Sequence, residues 1–209
     1  MKGTPLLSAA AATAALVASL LSASGCALLS RGASVDTKWY TPELTQPSAG
    51  SAERQETGEL RLGRVTAGAD LGLRIAYSDG LYGMGYYEGL RWTERPEHYV
   101  RRALGRSLFE QGPFRRTLDA TAPTLDVEVV DFEEVKAPTT HAARISLRVV
   151  LATDHVLLER TVAVSRAVPG GTFDGFVAAM SQALEASASE IARDVGDACA
   201  ASPEACTAH

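Results

Sequence analysis

The chain has 209 residues, with 20 Lys plus Arg against 25 Asp plus Glu, a formal net charge of −5 and three cysteines. That length fits one domain with short appendages, large enough to fold without a disulfide framework. The acidic balance lacks the basic excess that recruits a phosphate backbone, which excludes nucleic acid as the expected partner, and 22% charged with 46% hydrophobic residues excludes wholesale disorder.

The first element is an export leader over residues 1–25. Lys2 supplies the positive start, Leu6 to Leu21 runs without a charge, and Ala23-Ser24-Gly25 presents small side chains before Cys26. A transmembrane helix is the rival, since Leu6 to Leu29 approaches the spanning length; but the stretch is rich in Ala and Ser, and no cluster of Lys or Arg follows it. Small residues ending at a cysteine resemble the bacterial lipobox, with Ala23 standing where Leu is usual. That resemblance implies diacylglyceryl and acyl (palmitate-type) modification at Cys26, several chains together giving a durable anchor. Ala27, rather than Asp, implies sorting to the outer membrane, facing the periplasm. The bland alternative is an ordinary cleaved signal with a coincidental cysteine.

Residues 26–58 read as a tether, because Ser30 to Gly58 is rich in Ser, Gly, Pro, Thr and Gln without periodicity. Trp39 and Tyr40 interrupt it, and either dock on the domain or lie at the membrane interface. A folded domain is expected over 59–197. Leu60 and Leu62 begin a strand; Leu71, Leu73, Ile75 and Tyr77 alternate with Gly72, Arg74 and Ala76 as a half-buried strand; Ser78-Asp79-Gly80 turns the chain, and Tyr82 to Tyr87 returns. Pro96 fits the first turn of a helix with Val100, Leu104 and Leu108 on one face, stopped by Gly112-Pro113. Leu125, Val127 and Val129, then Ile145, Leu147, Val149 and Leu151, then Val156, Leu158, Val162 and Val164 mark three further strands. Their tight connections predict antiparallel pairing. Thr172 is a credible N-cap for a long amphipathic helix through Phe173, Phe176, Met180, Leu184, Ile191 and Val195. The order predicts an α+β fold, a two-layer sandwich with two helices packed on one face of a mostly antiparallel sheet. In the tail, 198–209, Cys199 and Cys206 lie close enough in sequence for a disulfide in an oxidising compartment; two free thiols are the alternative.

Chemistry is sparse. His98, His141, His155 and His209 form no HxxxH or HxxE pair, and His141 and His155 read as solvated residues near turns. There is no GxSxG elbow, P-loop or dinucleotide fingerprint, so neither catalysis nor a cofactor or metal is expected. Glu133 and Glu134, adjacent on a strand, point to opposite faces and cannot act as a simple dyad. Arg101, Arg102 and Arg106 on the first helix either form a solvated face or meet anionic headgroups or an acidic partner. Five of the six tyrosines, namely Tyr77, Tyr82, Tyr86, Tyr87 and Tyr99, fall close together with Trp92. Either Tyr77, Trp92 and Tyr99 clamp a hairpin to the helix, or part of this set, Tyr82, Tyr86, Tyr87 and Trp92, meets a partner or another subunit.

The stretch Tyr77-Ser78-Asp79, Tyr86-Tyr87, Arg91-Trp92, Pro96, Leu104, Leu108 and Phe114, followed by Leu125 to Val129 with Phe132 and by Ala143 to Val149, resembles the auxiliary lipoprotein family of ABC-type transporters over about residues 60–196. Thr93, where the family commonly has Ala, is a departure, as is the late position of Trp39-Tyr40. The resemblance implies a non-catalytic adaptor that works with an MCE-domain protein, a permease and an ATPase to move lipids between membranes, with residues 77–99 as the contact surface and a homo-oligomer as an option. The rivals are a structural scaffold of an envelope secretion or outer-membrane assembly complex, and a carrier with its own lipid cavity.

Overall fold

The computed structural model describes residues 36–45 and 58–206; the leader, Cys26 and His209 lie outside them. The strands are β1 (Lys38–Tyr40), β2 (Gly58–Ala67), β3 (Arg74–Ser78), β4 (Met84–Trp92), β5 (Phe114–Arg116), β6 (Thr124–Ala137), β7 (Thr140–Ala152) and β8 (Val156–Ala167). The helices are α1 (Pro96–Gly105), extended by a π-helical turn over Arg106–Glu110, then α2 (Phe173–Ala201) and the short α3 (Pro203–Cys206).

The fold is α+β, with a sheet that is mixed rather than mostly antiparallel. Antiparallel pairing holds for β3–β4, β6–β7 and β7–β8, where short turns force it. β2 and β3 both run parallel to β6, end to end along one of its edges: Leu62 lies beside Leu125, and Tyr77 beside Glu134. β5 adds in parallel to the start of β2, and β1 adds in parallel to the end of β4. These parallel pairs join segments distant in sequence, so no local turn announces them. Residues 38–40, within the stretch read as tether, are therefore an integral edge strand, with the Tyr40 ring 4.6 Å from that of Phe173.

The helices cover one face. Ala143, Ile145, Leu147, Val149 and Leu151 of β7 are buried, whereas their neighbours Arg144, Arg148 and Val150 are half-buried or exposed. Phe176, Met180, Leu184, Ile191 and Val195 of α2 seal that buried face, each worth about 1.5–3 kcal/mol relative to exposure. Arg160, in register with Val149, reaches Glu190 and Asp194 of α2 at 2.9 Å each. The Thr172 hydroxyl accepts from the Gly175 amide and caps α2. Val100, Leu104 and Leu108 of the first helical segment are buried, and the Tyr99 ring stacks on Phe132 of β6, which places α1 in the same layer.

Two irregularities override the two-residue period. In β6 an extra residue, the exposed Val130, lies between Val129 and Asp131, so Val129 and Phe132 both face the helices. In β4 the register jumps from Tyr86 beside Ala76 to Arg91 beside Arg74, with Gly89 at φ +71° in the loop-out. A regular strand would put Tyr87 and Trp92 on opposite faces; the loop-out brings both under the helices. The strand expected from Leu71 begins only at Arg74, and Leu71 is buried from the preceding turn while Leu73 is exposed.

Candidate functional site

The aromatic hairpin divides into three environments. Trp92 is 1% exposed and wedged among Phe132, Phe176 and Tyr99, with ring centroids 5.4, 5.9 and 6.3 Å away. It is a core residue, so it does not form part of a partner-facing surface. Tyr86 sits on the helix-free face, under the Arg74 guanidinium at 3.9 Å, and its hydroxyl donates to the Asp70 carbonyl. Tyr82 is 99% exposed at the β3–β4 tip, next to Leu81 and near Met84, which are also exposed.

Tyr87 belongs to a polar cluster that the residue pattern did not announce. Its hydroxyl donates to the carboxylate of Glu134, which is buried on the helix face and is also approached by His141 Nε2 and, at 3.5 Å, by Lys136 Nζ. Burial, and then the hydrogen bond to Glu134, push the Tyr87 phenol well above its ordinary value. The Tyr77 and Phe173 rings lie 5.1 and 5.2 Å from Tyr87. With its carboxylate engaged by three donors, Glu134 works as a strut joining β4, β6 and β7. His141 is thus a bound residue rather than a solvated one, whereas His98 and His155 are exposed. The available signal was the hairpin itself: Lys136 faces His141 across the β6–β7 turn, which places Glu134 diagonally beside that pair.

Glu133 points the other way. It takes the Arg144 guanidinium and the Ser78 hydroxyl on the helix-free face, so the two adjacent acids are split between faces. The arginines of α1 are each held locally: Arg101 donates to the Gly63 carbonyl at 2.9 Å, Arg102 pairs with Glu94, and Arg106 donates to the Thr45 carbonyl. They border an open groove of about 790 Å³ that also takes in Tyr99 and Glu110. At the other end of α2, Cys199 and Cys206 are joined by a disulfide, and Cys206 is buried.

A family model described as the ABC-type transport auxiliary lipoprotein component matches residues 40–192. Among solved structures, a Xanthomonas campestris protein of the DUF330 family superposes with TM-score 0.69 at 20% identity, covering 80% of this chain and 99% of that one. A structure titled only as an uncharacterized protein superposes with TM-score 0.61 at 18% identity, covering 77% and 99%. At these identities the two share the fold. No curated protein matches the sequence significantly.

Proposed function

The chain belongs to the ABC-type transport auxiliary lipoprotein family, and from that premise we propose that it is a lipid-anchored, non-catalytic adaptor of an MCE-type lipid transport system. In this reading Cys26 carries the acyl anchor in the outer membrane, the domain faces the periplasm, and the MCE-domain protein, permease and ATPase supply conduit and energy. The observation that carries the reading is the family match over residues 40–192, which spans nearly all of the described domain. The leader supports it, because Lys2, the uncharged run to Leu21 and the small residues before Cys26 supply what an acylated export signal requires.

The site chemistry agrees with an adaptor. Glu134, the most enclosed acid, spends its oxygens on Tyr87, His141 and Lys136, and Glu133 spends its own on Arg144 and Ser78. Of the hairpin set, Tyr82 is exposed and Tyr86 half-buried on the helix-free face, and these two are left for surface contact. The test is affinity purification of the acylated full-length protein from solubilised native membranes after mild cross-linking, with mass spectrometry of what is retained. The expected result is an MCE-domain protein together with its permease. Recovery of secretion or assembly components without an MCE protein refutes the proposal.

A further inference from the structure

Among the exposed apolar side chains of the described residues, Leu118 and Val156 stand singly near the end of the sheet where β6 begins, Trp39, Leu73, Tyr77 and Val130 are spread along the sheet, and Leu81, Tyr82 and Met84 cluster at the β3–β4 tip. Leu81 is 79% exposed and Tyr82 99%. The tip is built to hold them out. Asp79 Oδ1 accepts from the Leu81 and Gly83 amides at 2.8 and 3.0 Å, and Gly80 adopts φ +80°. Those two hydrogen bonds hold the Asp79 carboxyl below its ordinary value. A turn fixed in this way presents apolar side chains with little further ordering to do.

The direction of β1 says what lies opposite. β1 runs parallel to β4, with Lys38 beside Leu90 and Tyr40 beside Trp92. The chain therefore enters β1 from the side of the sheet where β4 begins, which is the side of the tip. Because of the loop-out, Arg91 and Met84 lie beside Arg74 and Ser78 of β3, a span of about 13 Å at about 3.3 Å per residue. Twelve residues of chain lead from Cys26 to Lys38, a reach of about 40 Å when extended. A bilayer holding Cys26 is thus within reach of the tip without strain.

We infer that the β3–β4 tip is a membrane-docking element, in which Leu81, Tyr82 and Met84 seat in the headgroup layer of the bilayer that holds the Cys26 anchor. Tyr suits that layer because its ring is apolar and its hydroxyl stays wet. Docking orients the domain, so that the α1 groove at the far end of β4 faces away from the membrane. The inference rests on the acyl anchor proposed above.

The test uses acylated full-length protein carrying Tyr82→Cys. Cys26 is blocked by lipid and Cys199 is bonded to Cys206, which leaves one thiol for an environment-sensitive nitrobenzoxadiazole label. The protein is reconstituted into phosphatidylethanolamine–phosphatidylglycerol vesicles with and without doxyl-labelled lipid, beside a Leu118→Cys control. Mass spectrometry of the N-terminal peptide establishes acylation independently. The expected result is a blue-shifted Tyr82 label, quenched by doxyl lipid several-fold more than the Leu118 label. An acylated protein whose Tyr82 label stays as wet as the control overturns the inference and leaves the anchor standing. Absence of the acyl group removes both. A label that stays wet on vesicles, but is shielded when the solubilised transporter is added, assigns the tip to a protein partner and overturns the membrane reading.

Discussion

Replacing Trp92 with Ala removes the wedge on which four elements converge. The indole is 1% exposed and touches the rings of Tyr99 from α1, Phe132 from β6 and Phe176 from α2, while its own backbone N–H donates to the Leu73 carbonyl at 2.7 Å. Truncating a fully buried aromatic costs about 3–5 kcal/mol, from lost transfer energy and from a cavity that the rigid neighbours cannot fill. Against a total stability of about 5–15 kcal/mol this is a large fraction. At about 2–4 °C per kcal/mol for a domain of this size, the midpoint falls by about 6–20 °C. Trp92→Phe, which keeps a ring, loses much less. Thermal unfolding followed by far-ultraviolet circular dichroism reads both variants, and a pull-down at a temperature where the Ala variant is still folded reads its partner binding. The expected pattern is a strongly lowered midpoint with binding retained by the folded fraction. A midpoint within a few degrees of the parent, with binding lost, would refute the core assignment and return Trp92 to the surface.

Three smaller perturbations probe the remaining features. Tyr87→Phe removes one donor from the buried Glu134 carboxylate and costs about 1–3 kcal/mol in urea unfolding. Because the Tyr87 phenol is held above its ordinary value of 10.0, the folded state keeps that proton longer than the unfolded chain. The parent therefore loses stability as pH rises beyond 10.0, and the Phe variant loses less over the same range; identical slopes would discount the strut. Asp79→Ala frees the Leu81 and Gly83 amides, so their hydrogen exchange accelerates while that of β6 and β7 is unchanged. In the parent this protection persists at 3.8, the ordinary Asp value, and is lost as pH falls further, since the carboxyl is held below that value. Reduction of Cys199–Cys206 opens a short loop worth about 2.5 kcal/mol in chain entropy, so the midpoint drops under reductant; no change would mean that the tail does not contribute.

Local backbone geometry explains what was legible without coordinates. A helix repeats every 3.6 residues and a strand every two, so Phe176 to Val195 and Leu125 to Leu151 reveal their buried faces wherever the chain keeps those periods. Pro96 and Thr172 mark helix starts through groups only a few residues away, and the turns joining β6, β7 and β8 force antiparallel neighbours. Strand partners far apart in sequence leave no such trace. The parallel seating of β2 and β3 on β6, and of β1 on β4, is decided by which distant faces bury the most apolar surface together. The same holds for the two places where the period breaks. One extra residue at Val130 carries Phe132 and Glu134 to the helix side, and the loop-out around Gly89 carries Tyr87 and Trp92 there with them. The sequence determines the elements and the family; packing between remote segments decides that Trp92 is core, that Glu134 is a buried strut, and that Tyr82 is left facing outward at the tip.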